Sequence, residues 1–267
     1  MKIKELILYI VCWTIIILTS LMLLVGVVRV FVCDRFIVRG SSMYPTLYDD
    51  EPVWVNKLLL GARIYKSFDT ESPVLESFRM PGLRRIHVGD VAIFNNPYGR
   101  DREKIEFRIN YVYLKRCVGC PGDTIGIKDC HFYNTRVEDV GLDATMEHML
   151  AGIPDTLLSY PRGIFPFVPE LGWTMKEMGP LMVPCKGMTV ALDSISVRIY
   201  EKTIEYETGE RPLWDGGRCL HAGQEMDCYT FAEDYCYFVG DNVLNSRDSR
   251  YFGFVPEDYI IGLINPR

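Results

Sequence analysis

Apolar positions are spread unevenly along the chain, and the first block of them is continuous. Between Leu6 and Val28 no residue is charged. At 1.5 Å per residue this run makes roughly 35 Å of helix, enough to cross a hydrocarbon core. It is rich in Leu, Ile and Val and lacks the small-x-small exit of a cleavable leader. It therefore predicts an uncleaved single-pass anchor in residues 1–33, with the span at about 6–28. Lys2 and Lys4 precede the run while Arg29, Arg35 and Arg39 follow it, so the positive-inside rule does not decide the side on which the remainder lies.

After the anchor the apolar pattern shortens to strand length. Phe36-Ile37-Val38 and Val53-Trp54-Val55 flank a Gly/Ser/Pro turn, Gly40-Ser41-Ser42-Met43-Tyr44-Pro45-Thr46-Leu47. Residues 60–86 turn polar, with Ser72-Pro73 and Pro81-Gly82, and read as an exposed connection. Val91-Ala92-Ile93-Phe94 and Tyr111-Val112-Tyr113-Leu114-Lys115-Arg116-Cys117-Val118 predict two strands. From about 129 to 228 come loops at Gly152-Ile153-Pro154 and Pro161-Arg162-Gly163, with strand-like pieces at Thr189-Val190-Ala191-Leu192 and Ile199-Tyr200, which read as a β-rich insertion. Tyr235-Cys236-Tyr237-Phe238-Val239 predicts another strand, a dense polar loop follows from Gly240, and Ile260-Ile261-Gly262-Leu263-Ile264 closes the chain. The fold class expected is mostly β: antiparallel sheets in residues 34–267, with the insertion as a second β-rich lobe, behind one N-terminal transmembrane helix.

Charge narrows the function classes. The chain of 267 residues has 29 basic and 35 acidic side chains, which argues against a nucleic-acid partner. His87, His131, His148 and His221 show no metal-ligand spacing, so no metal is expected. Seven of the nine cysteines follow the anchor; an odd number cannot all pair. Cys117-x-x-Cys120 has no second pair at matching spacing, so burial as small apolar residues is the expected role.

Two features point to chemistry. One is the turn, where Gly40 and Pro45 shape a corner that presents the hydroxyl of Ser41 or Ser42 close to a membrane surface. The other is Lys115, a lysine inside an apolar strand. Such an amine either snorkels to solvent or loses its charge, and neutralising it at pH 7 costs about 4.6 kcal/mol. The loop from Gly240 to Gly253 offers many polar groups for a buried network around such an ion.

Taken in order, Ser42-Met43-x-Pro45, Lys115-Arg116-x-Val118-Gly119-x-Pro121-Gly122-Asp123, and Gly240-Asp241-Asn242 with Asn245-Ser246-x-Asp248-Ser249-Arg250 resemble bacterial signal peptidase I. Val88-Gly89-Asp90-Val91 and Gly253-Phe254-Val255-Pro256 match the same pattern, so only the insertion lies outside it. The resemblance implies a serine endopeptidase that removes signal peptides through an acyl-enzyme. Ser42 matches the nucleophile, Lys115 the general base and Ser246 the hydroxyl that orients the lysine. Asp241 with Arg116, and Asp248 with Arg250, match supporting ion pairs. Val38, Leu114 and Met43 match the substrate-binding positions. A neutral amine in place of a histidine suits this assignment.

The same resemblance implies no cofactor. Its partners would be signal-peptide-bearing preproteins, membrane lipid and the secretion translocon, with the peptidase domain on the extracytoplasmic side of the cytoplasmic membrane. Two departures stand out. Gly40 occupies a place where some members carry a Ser or Thr that donates to the oxyanion, and Val243 replaces the Arg usual after Gly-Asp-Asn. A non-catalytic signal-peptide-binding or scaffold paralogue is the competing reading. A self-cleaving Ser/Lys repressor fits neither the anchor nor the acidic balance.

Overall fold

The computed structural model describes residues 3–67, 69, 72, 74, 76–97, 104–154, 157, 158 and 163–265. Lys2, Pro73, Pro161 and Arg162, used in the sequence reading, lie outside them. The apolar run forms one helix, Ile3–Phe31, with no buried residue; it is longer than the uncharged stretch because Lys4, Glu5 and Arg29 are included. Its C-terminal end is tied to the body. Lys57 Nζ donates to the Arg29 carbonyl at 2.6 Å and Arg29 Nε donates to Asp34 at 3.0 Å, which satisfies a backbone acceptor that the helix end leaves open.

The chain then builds a seven-stranded antiparallel sheet in the spatial order Cys33–Ile37, Pro52–Asn56, Ile260–Ile264, Val91–Asn95, Val112–Gly119, Tyr235–Val239 and Val255–Pro256. The last long strand of the sequence is thus inserted between early ones. Pro52–Asn56 alternates exposed and buried positions, whereas every residue of Val91–Asn95 and Tyr235–Val239 is buried. That difference separates a strand with one wet face from strands covered on both. Beneath the Ser42 turn a small core of Val38, Met43, Leu47, Val53, Val55, Val91, Ile93 and Ile264 fixes its height above the sheet.

The segment read as an exposed connection contains a hairpin of Arg63–Tyr65 and Ser77–Arg79. It docks because its arginines reach inward: Arg63 is buried and donates to Asn95 Oδ1, and Arg79 Nη2 donates to the Ile260 carbonyl at 2.6 Å. Long side chains that carry their donors to strand ends cannot be told from solvated ones by composition.

The insertion is β-rich but also carries two helices, Ala144–Ala151 and Ser194–Thr208. Ile199-Tyr200, read as strand-like, lies inside the second. Asp193 caps that helix by accepting from the Ile195 and Ser196 amides, with Ser196 Oγ returning the bond, and Val197, Tyr200 and Ile204 make a buried stripe at helical spacing. Cys117 and Cys236 are buried, and Cys117 Sγ stands 3.7 Å from Cys120 Sγ, well beyond disulfide length.

Candidate active site

The turn over residues 40–47 is held from both ends. Gly40 takes φ of +80° and its amide donates to Asp49 Oδ1 at 2.8 Å; a side chain there would find room but a strained backbone. Met43, 1% exposed, plugs the turn into the core, and its carbonyl accepts the Leu47 amide at 2.9 Å. The closing loop grips the other side. Asn242 donates through its amide to the Ser42 carbonyl and through Nδ2 to the Ser41 carbonyl, both at 3.1 Å. Asn245 Nδ2 donates to Ser41 Oγ at 2.9 Å. Among the described residues no hydrogen bond takes the Ser42 amide.

Gly240 is required for this approach. A Cβ there would come within 2.4 Å of the Ser42 carbonyl and 2.2 Å of Ser246 Oγ. No side chain fits between the closing loop and the turn.

Lys115 rises from the Val112–Gly119 strand opposite Ala92 and is 3% exposed. Its Nζ donates to Ser42 Oγ at 2.5 Å and to the Leu114 carbonyl at 3.0 Å, and it stands 5.5 Å from the centre of the Tyr113 ring. Burial is the main cause that lowers its pKa to about 8; the nearby Arg250 adds to the drop, and Asp248 and Asp241 oppose it. Neither carboxylate forms a salt bridge with the amine. Both are engaged elsewhere.

Asp241, fully buried, takes two bonds from Arg116, at 2.8 Å from Nε and 2.6 Å from Nη2. Arg116 Nη1 also donates to the Gly89 carbonyl at 2.8 Å. Asp248 takes Arg250 Nε at 2.8 Å, Arg250 Nη2 at 2.7 Å and the Gly240 amide at 3.0 Å. Its own burial opposes ionisation, and the Arg250 guanidinium outweighs that burial and holds the carboxyl below its ordinary value. Arg250 reaches on to the Val243 carbonyl at 2.8 Å. Val243 itself is buried in the main core, so an apolar anchor seats the loop there. These pairs are bidentate and dry, the geometry in which loss of one partner is costly.

Ser246 is buried on the same loop. Among the described residues its Oγ makes no hydrogen bond of good geometry, and none joins it to Lys115; it lies close enough to Asp248 to favour the ionised carboxyl. Val38, Met43 and Leu114 meet in an open cleft of about 260 Å³, whose wall also includes Ser42 and Lys115. A larger hollow of about 630 Å³ lies elsewhere, walled by Glu205, Glu207, Glu233 and Glu257, with neither Ser42 nor Lys115 on its lining. Among the described residues no group of His, Cys, Asp and Glu is arranged to hold a metal ion.

Sequence reasoning missed Thr46. Its Oγ1 donates to Asp241 Oδ2 and accepts from Arg116 Nη2 at 3.4 Å, joining the serine turn to the ion pair beside the lysine. It also missed the amide groups of Asn242 and Asn245 as clamps on the turn. Their place in the motif was visible, but a contact across about 200 residues was not.

A family model described as signal peptidase, peptidase S26, matches residues 10–157 and 178–266. Signal peptidase I T of Bacillus subtilis (strain 168) is 34% identical over 111 residues, 42% of this chain and 42% of that one, so the match spans less than half of either. Signal peptidase I of Buchnera aphidicola subsp. Schizaphis graminum is 25% identical over 256 residues, 90% of this chain and 69% of the relative. Among solved structures, a signal peptidase I from Enterococcus faecalis V583 has a TM-score of 0.33 at 16% identity, covering 68% of this chain and 97% of that one.

Proposed function

Since the chain belongs to the signal peptidase family, peptidase S26, we propose that it is a membrane-anchored serine endopeptidase that removes N-terminal signal peptides from exported preproteins. Ser42 is the nucleophile and Lys115 the general base. The observation that carries this reading is the 2.5 Å contact between Ser42 Oγ and a buried amine that has no carboxylate partner among the described residues.

An amine with a pKa of about 8 is neutral in a useful fraction of molecules near neutral pH. In that form its lone pair accepts the Ser42 proton as Oγ attacks the scissile carbonyl. The free Ser42 amide faces the oxygen that gains charge. With Gly40 rather than a hydroxyl residue beside it, this amide carries more of the oxyanion stabilisation. The ammonium then returns its proton to the departing amine, leaving an ester on Ser42, and Lys115 activates a water that releases the signal peptide. Ser246, on this reading, turns its hydroxyl to the amine only once substrate is bound, and the two buried arginine–aspartate pairs keep the carboxylates from holding the amine protonated.

Substrate would enter as an extended strand. Cys33–Ile37 is, among the described residues, an edge strand paired to Pro52–Asn56 alone. Residues 112–115 pair on one side with Val91–Asn95, and pairing with Tyr235–Val239 begins only at Arg116. Two open edges thus line one cleft and supply backbone partners for a peptide between them. Side chains first and third before the cut face the same wall, where Val38 and Leu114 leave room for little beyond a methyl group. The Ile3–Phe31 helix, set in lipid, holds the domain at the membrane, on the extracytoplasmic side where signal peptides emerge beside the translocon.

The test is incubation of the detergent-solubilised protein with a preprotein. One clipped product from the parent and none from Ser42→Ala supports the reading; equal clipping by both defeats it.

A further inference from the structure

The cleft around Ser42 has an unusual charge for this chain. The protein carries a formal net charge of −6, yet among the described residues the cleft wall contains Arg39, Lys115 and Arg247 and no Asp or Glu. The three cations are not equivalent. Lys115 is committed to Ser42. Arg39 is paired through Nη1 with Asp50 at the surface. Arg247 is exposed, and no salt bridge or hydrogen bond engages its side chain among the described residues.

Its mounting is rigid. The neighbours Ser246 and Asp248 are both buried, and Asp248 is fixed by the Gly240 amide and by Arg250. With both neighbours turned into the protein, Arg247 projects outward into the mouth of the cleft. The floor opposite is apolar: Val38, Val53, Ile93 and Leu114.

We propose that Arg247 is a specificity-determining residue that reads the charge of the substrate residue two places before the cut, favouring Asp or Glu there and disfavouring Lys or Arg. The proposal rests on the peptidase reading and adds a subsite to it. In an extended peptide the first and third side chains before the cut point into the apolar floor, so the second points the opposite way, to the mouth. There it meets an unengaged guanidinium on a fixed base and, among the described residues of the wall, no competing carboxylate. A guanidinium suits this task because its fork matches a carboxylate bidentately. The contact is exposed, so its effect is modest and sensitive to salt.

Three otherwise identical preproteins, with Ala, Asp or Lys two places before the cut, serve as probes. The readout is the ratio of kcat/KM for the Asp and Lys substrates within each enzyme, so a general loss of activity cancels. The parent should favour Asp by about fivefold at low salt, the ratio should fall towards one at high salt, and Arg247→Glu should invert it. Arg247→Gln should bring it near one. A parent ratio near one, or a ratio that Arg247→Glu leaves unchanged, would overturn the proposal. So would a charge preference that follows Arg247 only when the charged residue is moved to the first or second position after the cut. Cleavage of the Ala substrate by the parent, absent in Ser42→Ala, reports separately on the peptidase reading; failure there sinks that reading rather than this subsite alone.

Discussion

Arg63 and Lys115 are both buried cations, and neither forms a salt bridge among the described residues. Their surroundings make them different instruments. Arg63 belongs to the hairpin and turns inward, where its guanidinium donates to the Asp258 carbonyl and to the Tyr65 hydroxyl, both at 2.5 Å, and to Asn95 Oδ1. Burial lowers its pKa, but a guanidinium starts so high that it stays charged. Lys115 lies in the cleft with a serine hydroxyl and one carbonyl for company, and burial brings its amine to about 8. The same desolvation therefore yields a structural clamp from an arginine and an exchangeable proton from a lysine. On the proposed reading, what makes the second site chemical is that Asp241 and Asp248 are each held by an arginine of their own.

The sharpest break between the two sites should come from deletion. Ser42→Ala and Lys115→Met should each lower precursor cleavage by about a thousandfold or more, whereas Ser41→Ala should stay within about tenfold of the parent. Quantified cleavage of one preprotein checks all three, and a Ser41→Ala protein as inactive as Ser42→Ala would move the nucleophile. Arg63→Leu should act on stability instead. It strips donors from Asn95, Tyr65 and the Asp258 carbonyl and should cost about 3 kcal/mol in denaturant unfolding, while the pH dependence of cleavage in the folded fraction stays that of the parent.

Lys115→Met should have the opposite sign in the same unfolding assay. The unfolded chain keeps the lysine proton up to about 10.5 and the folded chain releases it near 8. The parent therefore loses stability as pH falls from about 10.5 to 8, then levels off. Removing the amine should raise stability at pH 7 by about 2–3 kcal/mol, a gain that fades above pH 10.5. A Lys115→Met protein less stable than the parent at every pH would mean the amine is not buried at a cost. Thr46→Val should be milder. It breaks the link between the serine turn and Asp241 and should lower kcat by about tenfold with KM nearly unchanged; Thr46→Ser should restore most of the loss.

Much of this was legible before the fold was known, because the groups that define the cleft sit in short local motifs. Ser42-Met43-x-Pro45, Lys115-Arg116 and the loop from Gly240 to Arg250 each carry their own turn or strand signal, and their order suffices to bring them under suspicion together. The two ion pairs could be named from the resemblance, but not that they are bidentate and dry. Thr46 was unreadable for a different reason: a threonine after proline is ordinary turn composition until a carboxylate from the far end of the chain is set beside it. The Ser194–Thr208 helix was hidden because Ile199-Tyr200 is β-prone as a dipeptide, and only the longer spacing of Val197, Tyr200 and Ile204 reveals the buried stripe. Arg247 looked like any loop arginine. Its meaning depends on the described cleft wall lacking acids, a property of the folded surface rather than of any window of sequence.

The central claim is that desolvation leaves Lys115 able to take the Ser42 proton near neutral pH, and the pH profile of kcat/KM tests it most directly, because that ratio reports groups of the free enzyme. Below the folded pKa the amine is protonated and cannot act as base, so kcat/KM should rise tenfold per pH unit and level off with an apparent pKa near 8. An ascending limb near 10.5, or a profile flat from pH 6 to 9 with acylation shown to be the slow step, would contradict the account.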